Sequence, residues 1–214
     1  MNTMTRTLAL LALILSPLYA GASNIATQHS YIGGGLQYSH MSHEFTSGHY
    51  SSDNNEQALT ASNMAGAYLN GSWNFTHQLY LMGKIELSKR NQMSIAHHMA
   101  ALGYFQPVTD SLSLFTALGV SQLNLKQDGI ISHPDKSHQD SGLGTELGVR
   151  LAASENWLIE PAFRLEKLGD DYKEYRLGNV FSVSNHMNLE ANLTHATIAG
   201  YSMTNYQVGI RYTF

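Results

Sequence analysis

Past residue 30 the chain alternates apolar and polar residues with a period of two, the mark of strands whose two faces meet different surroundings. Residues 79–90 set Leu79, Leu81, Gly83, Ile85 and Leu87 against Tyr80, Met82, Lys84, Glu86, Ser88 and Arg90. Residues 143–151 set Leu143, Leu147, Val149 and Leu151 against Gly144, Glu146, Gly148 and Arg150. In 157–167, Trp157, Ile159, Pro161, Phe163 and Leu165 oppose Glu160, Ala162, Arg164 and Glu166. The last residues set Tyr206, Val208, Ile210, Tyr212 and Phe214 against Gln207, Gly209, Arg211 and Thr213. With weaker segments between them, the pattern predicts strands near 30–42, 60–75, 79–90, 95–107, 112–126, 141–153, 157–167, 173–184, 188–198 and 203–214. That is ten, with eight as the alternative count.

The predicted connections are unequal. Thr76–Gln78, Thr109–Ser111, Ser154–Asn156 and Asn185–Met187 are tight turns, whereas 43–58 and 127–140 are long and polar. Short turns alternating with longer loops suit a membrane barrel with periplasmic turns and extracellular loops. A soluble β protein would also alternate, but it would bury its apolar face. Here the opposite faces carry glycines and full charges, which suits a polar interior and an apolar exterior. Trp73, Phe75, Phe105, Trp157, Tyr212 and Phe214 stand beside predicted turns, where aromatic side chains favour the membrane–water boundary. The pattern therefore predicts an all-β, antiparallel up-and-down transmembrane barrel.

Composition sharpens this picture. Of 214 residues 43% are hydrophobic and only 13% charged, while mean hydropathy is −0.20. The formal net charge of −4 leaves no basic footprint for nucleic acid. The absence of cysteine excludes disulfides, thiolate metal sites and thiol catalysis. Arg6, the apolar run 8–15, Ser16-Pro17 and Ala20-Gly21-Ala22 form the pattern of a secretory signal, with cleavage expected before Ser23. Two units follow: a signal peptide at 1–22 and one outer-membrane barrel domain at 23–214.

The closing segment Tyr206-Gln-Val-Gly-Ile-Arg-Tyr-Thr-Phe214 resembles the C-terminal signal by which outer-membrane barrels are recognised for assembly. Residues 111–120 and 142–149 are similar to the central hairpins of small OmpA-like and Ail/Lom-type surface barrels. That resemblance implies Tyr206, Val208, Ile210, Tyr212 and Phe214 as the assembly signal, and the assembly machinery and periplasmic chaperones as partners. Those families close with eight strands, whereas residues 173–198 read as an additional hairpin.

Turning the polar faces inward gathers Lys84, Arg90, Arg150, Arg164, Arg176 and Arg211 with Glu86, Glu146, Glu160, Glu166 and Glu190. Charges removed from water cost several kcal/mol each unless paired. A ten-strand barrel is little wider than an eight-strand one, which side chains just fill. The interior is therefore expected to be a hydrated, ion-paired network rather than an open pore. Counting outward from the turn at 154–156 sets Arg150 opposite Glu160 and Glu146 opposite Arg164.

Other candidate chemistry is thin. His40, His43 and His49 fall on the first predicted loop, and His133, Asp135, His138 and Asp140 on the third. Imidazole and carboxylate suit zinc or copper, but a loop sets no geometry, so these read as solvated and no metal or cofactor is expected. Asp170-Asp171, the His138–Asp140 pair and Ser184-Asn185-His186 show no catalytic motif, and the chain is expected not to be an enzyme. Gly33-Gly34-Gly35 precedes no helix and is expected to admit tight curvature or bulky neighbours. Nine methionines are scattered singly. Two functions remain from different classes: a monomeric surface barrel whose loops meet host, phage or neighbouring cells, and a narrow gated channel. A hydrolase is the remote third.

Overall fold

The computed structural model describes residues 28–46, 60–91, 93–127, 136–198 and 201–214; the expected signal peptide lies outside them. The chain forms ten strands: β1 Tyr31–Thr46, β2 Thr60–Asn74, β3 Leu79–Arg90, β4 Met93–Thr109, β5 Leu112–Gln127, β6 Lys136–Ser154, β7 Trp157–Leu168, β8 Asp170–Ser182, β9 Met187–Ile198 and β10 Tyr201–Thr213. Each pairs antiparallel with its sequence neighbour, and β10 returns to β1, closing the barrel. Closure follows from the solvent: in lipid every backbone N–H and C=O must be paired within the protein, which leaves a sheet no free edge. Ten strands, not the alternative eight, complete the ring.

The alternation read from the sequence is the alternation of the wall. Outward stand Leu36, Leu81, Leu118, Val120, Leu143 and Leu147 among many large apolar residues. Inward, Ser113, Glu146, Arg164, Glu190 and Arg211 are buried. At the end holding the two termini, Trp73, Phe75, Trp157, Phe181 and Tyr212 face outward as an aromatic girdle. Trp157 and Phe181 stack there at 5.5 Å, and the Trp157 indole donates to Asn179 Oδ1 at 3.3 Å.

Phe105, placed in that girdle by its sequence position, points inward instead and is buried. It shares its parity on β4 with Ile95, His97, Met99 and Ala101, all inward, so proximity to a turn was the weaker guide.

β6 starts five residues earlier than the alternation suggests, and most of the expected loop 127–140 that is described is strand. Outward positions on β5 and β6 turn polar beyond Val120 and Leu143, at Gln122, Asn124 and Lys126 and at Ser137, Gln139 and Ser141. A transmembrane strand needs only about 9–11 residues. The hairpin therefore continues past the apolar band, where the outward face meets water and the inward positions His138 and Asp140 of β6 are polar as well, so alternation along β6 carries no signal.

Glycines make room for large inward rings. A Cβ on Gly103 would lie 2.1 Å from the ring of Tyr80, so that ring rests directly on the backbone of the next strand. At the seam, Gly35 faces Gly209, and a Cβ on Gly209 would meet the Tyr68 hydroxyl at 2.6 Å. Within the triple glycine, a Cβ on Gly33 would meet the Asn70 side chain of β2 at 2.6 Å.

Candidate functional site

Inward side chains fill the barrel in layers. Near the terminal end, β6 and β7 bring Arg150 Nε to 2.8 Å from Glu160 Oε1. Arg211 of β10 reaches the other Glu160 oxygen at 2.9 Å and Glu190 at 2.6 Å. Glu190 also accepts from Asn70 and Asn192. The Arg211 guanidinium lies 4.0 Å over the Tyr31 ring.

Above this layer, Arg176 donates to Glu146 at 2.6 Å, and Arg164 pairs with Glu174 and lies 3.4 Å from Glu166. Lys84 stands 3.4 Å from Glu86 and 3.6 Å from Glu174. His97 has Glu166 at 2.7 Å from Nε2 and Glu86 at 3.6 Å from Nδ1. Ser121 donates to Glu166, Gln207 to Glu86 and Tyr172 to Glu174. Among the described residues, five lysines and arginines here (Lys84, Arg150, Arg164, Arg176, Arg211) meet six glutamates, with the His97 ring between Glu166 and Glu86.

Both ends of this network are covered. Toward the termini, His29 stacks on Phe105 at 4.2 Å and on Tyr80 at 4.7 Å. Gln28 O accepts from Arg150 at 2.6 Å, so the segment before β1 is pinned into the mouth. Burial among the rings, with the Arg150 charge behind, holds the His29 imidazole well below its ordinary 6.5. Beside this segment a vestibule of about 690 Å³ opens downward, with Arg150 and Arg211 at its wall. At the far end Met41, Met64, Met93, Ile95, Leu123 and Leu168 form a buried apolar layer inside the barrel, with Met203 packed against it.

Of the eleven interior residues expected from the sequence, ten face inward and join these pairs. The exception is Arg90, which is exposed at the end of β3 and donates to Asn63 O at 3.1 Å. It has the inward parity, but the strand ends there and the side chain turns out at the rim. Glu174 and His97 were not anticipated. Parity could have found Glu174, two residues before Arg176 on one strand. Glu146 and Arg164 are register partners, yet Arg176 holds Glu146 more closely, at 2.6 Å against 3.8 Å.

The loop candidates do not assemble among the described residues. His40 Nδ1 lies 2.6 Å from Asn63 Oδ1, and His138 Nε2 lies 3.0 Å from Asp140 Oδ2. His49, His133, Asp135 and the side chain of His43 lie outside the described residues. Asp171 pairs with Lys167 at the β7–β8 turn. Ser184 Oγ accepts from the Met187 amide, while His186 stacks on Tyr212 and contacts Thr213 O. Those are turn-stabilising roles. Tyr206, Val208, Ile210, Tyr212 and Phe214 all face outward on the closing edge.

A family model described as the outer membrane protein beta-barrel domain matches residues 8–180. No curated protein matches the chain in sequence. Solved structures similar to it include Ail, the attachment invasion locus protein of Yersinia pestis, at 15% identity and TM-score 0.43, covering 86% of this chain and 97% of that one. OprG from Pseudomonas aeruginosa is 14% identical with TM-score 0.46, covering 91% and 99%. The translocator domain of the autotransporter NalP from Neisseria meningitidis is 10% identical with TM-score 0.46, covering 99% and 94%.

Proposed function

The chain belongs to the family of outer-membrane β-barrel domains, and from that premise we propose that it is a filled barrel of the outer membrane acting through its surface loops. The observation that carries this reading is the Lys84–Glu174 contact at 3.6 Å. β3 and β8 stand five strands apart in either direction around the ring, so this contact spans the interior from wall to opposite wall. With the ion-paired layers between an aromatic plug and an apolar cap, the interior serves as internal support. This reading assigns contact with the surroundings to the β5–β6 hairpin that continues past the apolar band, together with the long polar segments 47–59 and 128–135 of the sequence. Their ligand class is a host, phage or neighbouring-cell surface. Residues 1–22 act in this reading as the leader removed on the way to the outer membrane.

Planar-bilayer recording of the refolded protein tests it. A filled barrel gives no steady unitary conductance, and replacing 47–59 with a short linker removes cell-surface binding while the barrel stays folded. Reproducible unitary conductance overturns it in favour of a narrow channel. The 690 Å³ vestibule reaching Arg150 and Arg211 is the feature that supports that second reading.

A further inference from the structure

The apolar layer at the loop end is out of keeping with the rest of the interior. Apart from the rings of the aromatic plug and a small patch at Met99, Ala101 and Ala117, most inward side chains elsewhere are charged or polar, yet here methionines from four strands (Met41, Met64, Met93 and Met203) converge on Ile95 and Leu123. Lipid contact does not call for apolar residues on this face. Beneath them is a cavity of about 50 Å³, with Met41, Ile95 and Met203 on one side and Ser88, Glu86 and Asn205 on the other. Asn205 is 1% exposed. Its amide nitrogen donates to Thr194 Oγ1 at 3.0 Å, but its Oδ1 has no hydrogen-bond partner among the described residues. A buried acceptor left unpaired costs about 1–3 kcal/mol.

We propose that this cup binds a small neutral molecule with an apolar body and a single hydroxyl. The body packs against the thioether and aliphatic side chains, and the hydroxyl donates to Asn205 Oδ1. A charged ligand is disfavoured: Glu86 on the cavity wall already faces Lys84, His97 and Gln207, so an added ion brings a desolvation cost without a free counter-charge. At about 10–15 Å³ per water-sized occupant, the cavity of about 50 Å³ takes about three to five non-hydrogen atoms. Methionine, unbranched and polarizable, adapts its shape to such a body. Met203 and Tyr201 are only partly buried at the mouth, which makes the loop end the way in. The site does not depend on the surface-contact reading and requires no open channel.

The test uses the full barrel in lipid nanodiscs with ¹³C-methyl methionine, titrated with 1-butanol, butylammonium and butyrate. Met187, exposed on the lipid face, reports simple partitioning into lipid. The expected result is a saturable shift of the Met41 and Met203 methyls with 1-butanol alone, while Met187 drifts without saturating. Asn205→Leu weakens butanol binding about tenfold, the factor for one neutral hydrogen bond. Met203→Trp fills the cup and abolishes the saturable response at Met41, so the test stands even where Asn205→Leu does not fold. Met41 and Met203 shifts that merely track Met187, equal responses to the charged analogues, or undiminished binding in a folded Asn205→Leu variant would each overturn the proposal.

Discussion

Lys84 and Glu174 meet at 3.6 Å although their strands lie on opposite sides of the barrel. The lysine is also 3.4 Å from Glu86, so one ammonium serves two carboxylates on facing walls. Lys84→Met keeps the length of the side chain and leaves both glutamates short of a cation. Removing one member of a buried ionic group costs about 3–5 kcal/mol, read as a lowered urea midpoint in detergent. Adding Glu86→Gln to Lys84→Met is expected to recover part of the loss, because the charge balance is restored without the bridge.

Arg150 and Glu160 provide a second check, this time within one hairpin. Arg150→Ala is expected to lower stability by about 3–5 kcal/mol, and the exchange Arg150→Glu with Glu160→Arg to restore some of it. Full restoration is not expected, since Arg150 also holds Gln28 O and Glu160 also holds Arg211. A double variant no more stable than the sum of the single effects would show that the pair carries no mutual stabilisation.

The pH dependence near neutrality is set in part by His29. Its imidazole binds a proton less readily in the folded barrel than in the unfolded chain, because burial and then Arg150 disfavour the charged ring. Below about pH 6.5 the unfolded chain therefore carries more protons at this site, and stability falls with pH in that window. Above it the contribution is fully retained. Urea midpoints taken at about pH 7.5 and pH 5 should differ more for the native protein than for His29→Phe, which keeps the stack on Tyr80 and Phe105 but does not titrate. Equal differences would remove His29 from the account.

Phe214 closes the outward row of β10, and its amide donates to Ser30 O at 3.2 Å. Deleting it is expected to reduce the outer-membrane yield more than deleting residues 130–134 of the long polar connection, a kind of site where deletions are tolerated. Heat-modifiable migration in SDS gels measures the folded fraction of each.

Much of this architecture was legible because lipid enforces a strict rule on each outward position. The alternation over 79–90 located β3 at both ends, and counting from the turn at 154–156 set Glu146 opposite Arg164. The rule weakens where lipid is absent. On β6 before Leu143 the outward positions are polar and so are the inward His138 and Asp140, so the start of β6 could not be read. Inside the barrel the limit is different. Parity says that Glu174 and His97 point inward, but not that β7, the neighbour of one, also supplies the carboxylate of the other. Met41 and Met203 are 162 residues apart, and only the closure of β1 on β10 brings them together. Arg90 shows that parity also fails at a strand's last residue, where the wall ends.

The pairing of β1 with β10 has a consequence for how the molecule comes into being. Every other strand pair joins neighbours in sequence, and such hairpins can form as the chain folds. The seam joins Tyr31 to Thr213 and cannot form until all ten strands are present. Contacts between distant parts of a chain are the slow ones, so the seam sets the clock of assembly. Until it forms, two sheet edges stand open, and residues 31–41 of β1 contain no charge and no proline to deter pairing with another chain. The glycines that let Tyr68 lie flat against the finished wall leave that edge smooth and unguarded in the unfinished one. An unclosed copy is thus a template for the next, a hazard written into the same residues that close the ring.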